Sequence, residues 1–196
     1  MTRLTPGVRL PRRSLLTTAA ALAVAQVALP AGALEQTTGG DAPARGRARP
    51  GDFDFLTGEW QIRHRRLVDG QWDAFDGEAS CWSILGGRAH IEELRIPARD
   101  FAGSGIRLLD MAKALWADYW VNAKSGVLNL PPALGSFVDG AGVFESADTD
   151  QGQPIIVRGV WDRITGDGHR WHQSLSRDAG ASWEMNWEMF WQRKTS

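Results

Sequence analysis

From Asp52 onward, apolar residues recur at alternate positions in short runs, and each run is closed by turn-forming residues. The first strand starts at Trp60, with Ile62 on the same face and Gln61, Arg63 and Arg65 on the other. It stops at Val68-Asp69-Gly70, where the Asp-Gly pair suits a tight hairpin. A second strand is expected from about Gly77 through Cys81-Trp82-Ser83-Ile84-Leu85 to Gly86-Gly87, and a third over 88–96, ended by Pro97. Runs over 105–110 and 115–123 follow, then a Lys124-Ser125-Gly126 turn and a Pro131-Pro132 loop that cannot donate ladder hydrogen bonds. The pattern continues over 135–145 and 154–163, and a final hairpin joins 170–176 to 182–193. About nine strands and no long helix predict an all-β, antiparallel protein.

Ahead of the first strand, Phe53, Phe55 and Leu56 form a short apolar plug, and Gly58 permits a tight backbone turn before Trp60. The Gly-x-Trp step resembles the opening motif of lipocalins and their calycin relatives. That resemblance implies a closed barrel of about 8–10 strands, sealed at one end around Trp60. A late arginine closes such barrels by stacking across that tryptophan. Arg193, two residues beyond Trp191 on one face, is the expected partner, so Gly58, Trp60 and Arg193 form the barrel-closing set.

The segment before this domain reads differently. Arg12-Arg13 precedes an apolar run from Leu15 to Pro30, which ends at Ala31-Gly32-Ala33, a small-x-small cleavage site. Residues 1–33 are therefore expected to be a twin-arginine export signal, with a Sec signal as the near alternative. The run is shorter than the roughly 20 residues of a spanning helix, so no membrane anchor is expected after cleavage. Residues 34–50, rich in Gly, Pro and Arg, read as a flexible linker, and residues 51–196 as the barrel domain. The expected location is periplasmic or secreted. Loss of the signal removes four arginines and no acidic residue, taking the formal charge from -1 to -5, which is unlike a nucleic-acid binder. The single cysteine, Cys81, has no internal partner and is expected to be buried.

Both ends of the domain resemble a family of uncharacterised lipocalin-like bacterial proteins that open F-D-F-L-x-G-x-W and end W-x-Q-x-x-S-x-D-x-G-x-x-W-E-x-N-W. The matching residues are Phe53 to Trp60, Gly86-Gly87, Arg107-Leu108 with Asp110, Tyr119-Trp120, Trp161, and Trp171 to Trp187. The resemblance implies the barrel and a small-molecule role, and carries over no catalytic residues. Asp118 departs from the apolar residue expected between Trp116 and Trp120. Within the closing motif, the string from Ser176 to Trp183 looks like an Asp-box turn, which recurs in sialidase propellers but occurs once here. It reads as a structural turn.

All ten tryptophans lie in the barrel domain. Trp183, Trp187 and Trp191, with Met185 and Met189, share one parity of the last strand; Trp171 and Leu175 share a face of its partner, and Trp116 and Trp120 one of an earlier strand. Core filling accounts for most of them, and the rest suit the wall of a pocket for a flat or greasy ligand. Parity also sends ionisable groups inward: His64 and Arg66 after Trp60, His90 and Glu92 before Leu94, Asp118 between its tryptophans, and Gln173 beside Trp171. Such a set could orient a carboxyl or carbonyl ligand, supply a general base, or simply satisfy itself as buried pairs. The expected ligand-binding residues are His64, Arg66, His90, Glu92, Asp118, Trp120, Trp161, Gln173 and Trp187; the candidate catalytic groups are His90, Glu92 and Asp118.

The chain has no C-x-x-C, H-E-x-x-H, phosphate-cradling loop or G-x-S-x-G. His169 and His172 are three apart, which puts them on opposite faces of a strand, so no metal site is expected. The favoured expectation is a binding barrel for a small apolar or aromatic molecule, without a cofactor. The alternative is a cofactor-independent isomerase, cyclase or lyase. A minor one is a nitrobindin-like haem barrel, holding the iron through His172 or His64.

Overall fold

A computed structural model describes residues 46–195; the segments expected to be an export signal (1–33) and most of a linker (34–50) lie outside the described residues. Ten strands follow one another: β1 Gly58–Val68, β2 Gln71–Ile84, β3 Ala89–Ile96, β4 Phe101–Asp110, β5 Leu115–Asn122, β6 Ala133–Val138, β7 Ala141–Asp150, β8 Gln153–Asp162, β9 Gly168–Ser176 and β10 Glu184–Arg193. Each pairs antiparallel with its sequence neighbours, and β1 pairs with β10 to close the barrel. No open edge is left within the sheet.

Three strand limits differ from the sequence pattern. The stretch 135–145 is two strands, because Asp139 and Gly140, with φ of 49° and 79°, make a tight hairpin turn inside it. β2 begins at Gln71 rather than near Gly77, and its first apolar residues, Trp72, Ala74 and Phe75, do not alternate, so they carry no strand signal. β4 begins at Phe101 rather than Gly105. The end of the linker also belongs with the barrel: Ala48 is buried and donates its N–H to Ala114 O at 2.9 Å.

The last strand holds a further correction. β10 carries a bulge between Met185 and Trp187, so Met185 pairs with Ser174 and Trp187 with Gln173. The extra residue reverses parity. Trp187, Met189 and Trp191 face inward, whereas Met185 and Trp183 lie on the outer side. Trp183 there stacks under Arg158, whose Cζ is 3.5 Å from the ring centroid. Asp178 accepts hydrogen bonds from Ser182 N and from the hydroxyls of Ser182 and Ser176, and these bonds hold its carboxyl at about 2. The Asp-box string is a braced hairpin turn.

One barrel end is sealed by the 3-10 turn Asp54–Leu56 and the residues around it. Phe53, Leu56 and Trp60 are at most 1 % exposed. Trp60 donates its indole N–H to Leu56 O at 2.7 Å, and Phe53 meets Trp116 and Phe137 edge-on at 5.0 Å. Arg193 lies 4.2 Å from the Trp60 ring and donates to the carbonyls of Thr57, Phe55 and Gly166. Gly58 has φ of +130°, and a Cβ there would run into the Arg193 guanidinium, so only glycine lets the last strand cover the plug.

Candidate functional site

Between the plug and the opposite end lies a cavity of about 260 Å³. One wall is a run of indoles. Trp187, Trp171, Trp161 and Trp191 succeed one another with centroid separations of 5.9, 6.3 and 5.8 Å. They come from adjacent strands β8, β9 and β10, whose inward positions fall side by side in the register. Trp120 and Tyr119 of β5 border the other side, and Pro131 lies in the loop beyond β5.

Three charged groups meet across this cavity. Arg107 of β4 donates from Nη2 to Glu92 Oε2 of β3 at 2.7 Å, and its Nε lies 3.4 Å from Asp118 Oδ1 of β5. The register explains the meeting: Arg107 pairs directly with Asp118, and Gly105, one inward position away, pairs with Glu92. A Cβ on Gly105 would lie 3.0 Å from the guanidinium, so the glycine makes its space. Arg107 also stands over Phe53 and Trp161, 5.1 Å from each ring centroid. The Arg107 and Glu92 side chains are 4 % and 3 % exposed, but Asp118 is 19 % exposed and faces the cavity.

Burial pushes the Asp118 carboxyl up to about 6; Arg107 pulls it down and the Glu92 charge pushes it further up. Burial opposes the Arg107 charge, yet Asp118 and Glu92 together raise its pKa above the usual arginine value. Asp118→Asn therefore has a definite expected effect. A carboxyl raised from 3.8 when unfolded stabilises the fold fully below that value and loses its contribution as pH rises through about 6. The variant should gain about 1–3 kcal/mol over the parent at pH 7, with the difference gone at pH 4. Urea denaturation at the two pH values checks this, and a variant less stable at pH 7 would contradict it.

Of the nine residues expected to bind ligand, Glu92, Asp118, Trp120, Trp161, Gln173 and Trp187 line the cavity. Three do not. His64 is fully buried and stacked on Phe75 at 4.8 Å; its Nδ1 accepts from Trp187 Nε1 at 3.2 Å and its Nε2 faces Gly77 of β2. Arg66 is exposed, with its guanidinium 4.9 Å from the Trp187 ring. His90 sits in the plug layer, stacked on Phe53 at 5.9 Å, and burial lowers it to about 3. Catalysis through His90 at the cavity therefore has no geometric support. Arg107 is the most consequential of the lining residues missing from the sequence-derived set, and Asp148 is a second charged one. Two inward carboxylates demand a buried cation, and Arg107 shares the inward parity of Gly103 and Gly105.

Neither histidine named for haem fits it. His172 is on the outer wall, 3.7 Å from Asp162, and both His64 nitrogens face protein groups. No histidine borders the cavity among the described residues. Nor is any group of three or more His, Cys, Asp or Glu there placed to hold a metal ion. Cys81 is buried, and burial, reinforced by the Glu92 charge, raises its thiol well above the ordinary range.

No family model matches the chain, and no curated protein matches it. Among solved structures it is similar to a protein of unknown function from the DUF3598 family of Nostoc punctiforme, with 13% identity and a TM-score of 0.42 over 72% of this chain. The chain spans about half of that protein, 48% of its length. It is also similar to Rv2717c from M. tuberculosis, with 12% identity and a TM-score of 0.48, covering 73% of this chain and 95% of that one. The barrel itself is established by the strand order and register of this chain. The lipocalin-like family stays a resemblance carried by the two end motifs.

Proposed function

We propose that this is an exported barrel that binds a small apolar or aromatic molecule in its tryptophan-walled cavity. The observation that carries the reading is the cavity itself. A space of about 260 Å³ is kept open beside four successive indoles, in a barrel whose other end is packed solid. An engineered apolar cavity of ~150 Å³ holds one benzene ring, so this one has room for about two fused rings. A carboxylate destabilised by its own burial faces the same space, as expected where polarity serves a ligand rather than the fold.

Calorimetric titration of the full chain with naphthalene-sized aromatics tests this, alongside Ser146→Phe, which places a ring among the lining residues. Binding at one molecule per chain that Ser146→Phe abolishes is the expected result. Absence of binding, or binding untouched by the blockade, would overturn it. Export belongs to the same proposal and predicts that the N-terminus of the protein from the native cell is Leu34.

One observation favours a second reading. A carboxyl with a pKa of about 6, facing an aromatic cavity, is suited to moving a proton near neutral pH. In a cofactor-independent isomerase, cyclase or lyase, Asp118 would be the acid–base group. Asp118→Asn would then retain ligand and lose turnover.

A further inference from the structure

The charges that face the cavity are unbalanced. Glu92 on β3, Asp118 on β5 and Asp148 on β7 supply three carboxylates, against the single guanidinium of Arg107 on β4. The lining positions of β8, β9 and β10 carry no charge: they are Val157, Gly159, Trp161, Trp171, Gln173, Trp187, Met189 and Trp191. Exposure decides which charge a ligand meets. Arg107 is 4 % exposed, hydrogen-bonded to Glu92 at 2.7 Å, more loosely paired with Asp118 at 3.4 Å and set between the rings of Phe53 and Trp161, whereas Asp118 is 19 % exposed. The guanidinium is thus engaged with the protein, and the carboxylate is presented to the cavity.

An oxygen-rich anion would bring like charge against Asp118. A neutral ring would fill the space and leave that carboxylate with only a share of the Arg107 guanidinium, 3.4 Å away and hydrogen-bonded to Glu92. A cation satisfies both parts of the lining, because indole faces attract positive charge as well as apolar surface. The wall already holds one cation in this way: Arg66 rests 4.9 Å from the Trp187 ring.

We propose that the cavity takes a cationic amine, a ring system of one or two fused rings bearing a protonated nitrogen, whose positive end pairs with Asp118. This rests on the binding reading above and names the chemical class of its ligand. Asp118 fixes the ammonium, the indoles of Trp120, Trp171 and Trp187 surround it, and Asp148 adds to the attraction.

Three two-ring probes of matched size separate the outcomes: 2-naphthylmethylammonium, 2-naphthalenemethanol and 2-naphthoate, titrated calorimetrically into the full chain at pH 7. The ammonium is expected to bind roughly tenfold or more tighter than the alcohol, with naphthoate the weakest. Asp118→Asn should bring the ammonium to the level of the alcohol, and Asp148→Asn, at an exposed position, should weaken it by less. An alcohol that binds as tightly as the ammonium, or a preference that survives in Asp118→Asn, would overturn the amine assignment and leave the binding barrel standing. Failure of all three probes to bind would sink both.

Discussion

Replacing Arg107 with methionine is expected to destabilise the barrel by about 3–5 kcal/mol, the range found when one partner is stripped from a buried ion pair. Most of that loss comes from the charge left behind. Glu92 is 3 % exposed, and its hydrogen bond to Arg107 Nη2 at 2.7 Å is the side-chain contact that balances it. The double variant Arg107→Met with Glu92→Gln removes both charges and should recover most of the lost stability, since buried pairs replaced together are close to neutral. Denaturant midpoints of the parent, the two single variants and the double variant check this. A double variant as unstable as Arg107→Met alone would mean that the guanidinium contributes through its packing between Phe53 and Trp161 rather than through charge.

Acid should weaken the fold sharply between pH 7 and pH 5. Burial lowers His64 from 6.5 to about 4, against a small opposing effect of Asp76; burial and then Arg107 lower His90 to about 3, and His169 is lowered to about 3 in the same way, with Arg193 adding to the effect. Each depressed histidine gives its full stabilisation above pH 6.5 and loses it as pH falls toward the folded value. At pH 5 each has surrendered ~2 kcal/mol, while Asp118, shifted the other way, has returned ~1 kcal/mol. The net loss is on the order of 4–5 kcal/mol, a large part of the 5–15 kcal/mol that holds a typical domain together. His169→Phe isolates one contributor. Its ring stacks on Trp191 at 5.0 Å and neither of its nitrogens has a partner, so phenylalanine fits the same slot without a titrating group. The variant should lose about 2 kcal/mol less stability over this interval, a little under half of the parent's loss, in urea titrations at the two pH values. A pH dependence equal to that of the parent would show that His169 is not held neutral.

Alternation and turn chemistry made the barrel legible, because an antiparallel sheet with a dry interior writes its two faces into the chain. The plug was readable for a different reason: Phe53, Leu56 and Trp60 carry too much apolar surface, in too short a stretch, to lie on the outside. The hairpin at Asp139-Gly140 was hidden because apolar residues stand on both faces around it. A two-residue turn pairs Val138 with Ala141 and so reverses parity, from Phe137 to Gly142 and Phe144, but Val138 and Val143 blur the switch. The bulge in β10 also shifts parity, putting Trp183 and Met185 on the outer face without leaving a mark on the alternation. Arg107 was missed because its role depends on register. Its partners are supplied by β3 and β5, and only the alignment of three strands puts Glu92, Arg107 and Asp118 together. His90 was misplaced for a related reason: parity tells inside from outside, but not how far along the barrel axis a side chain sits.

The two ends of the described chain meet at the sealed pole. Ala48 is bonded to the turn after β4, and Arg193 pairs with Trp60 at the head of β1. A tag or fused partner joined directly after β10, or directly before residue 46 in a shortened chain, therefore leaves the barrel at the pole opposite the cavity entrance. The barrel can be immobilised at that pole with its cavity turned toward the solution.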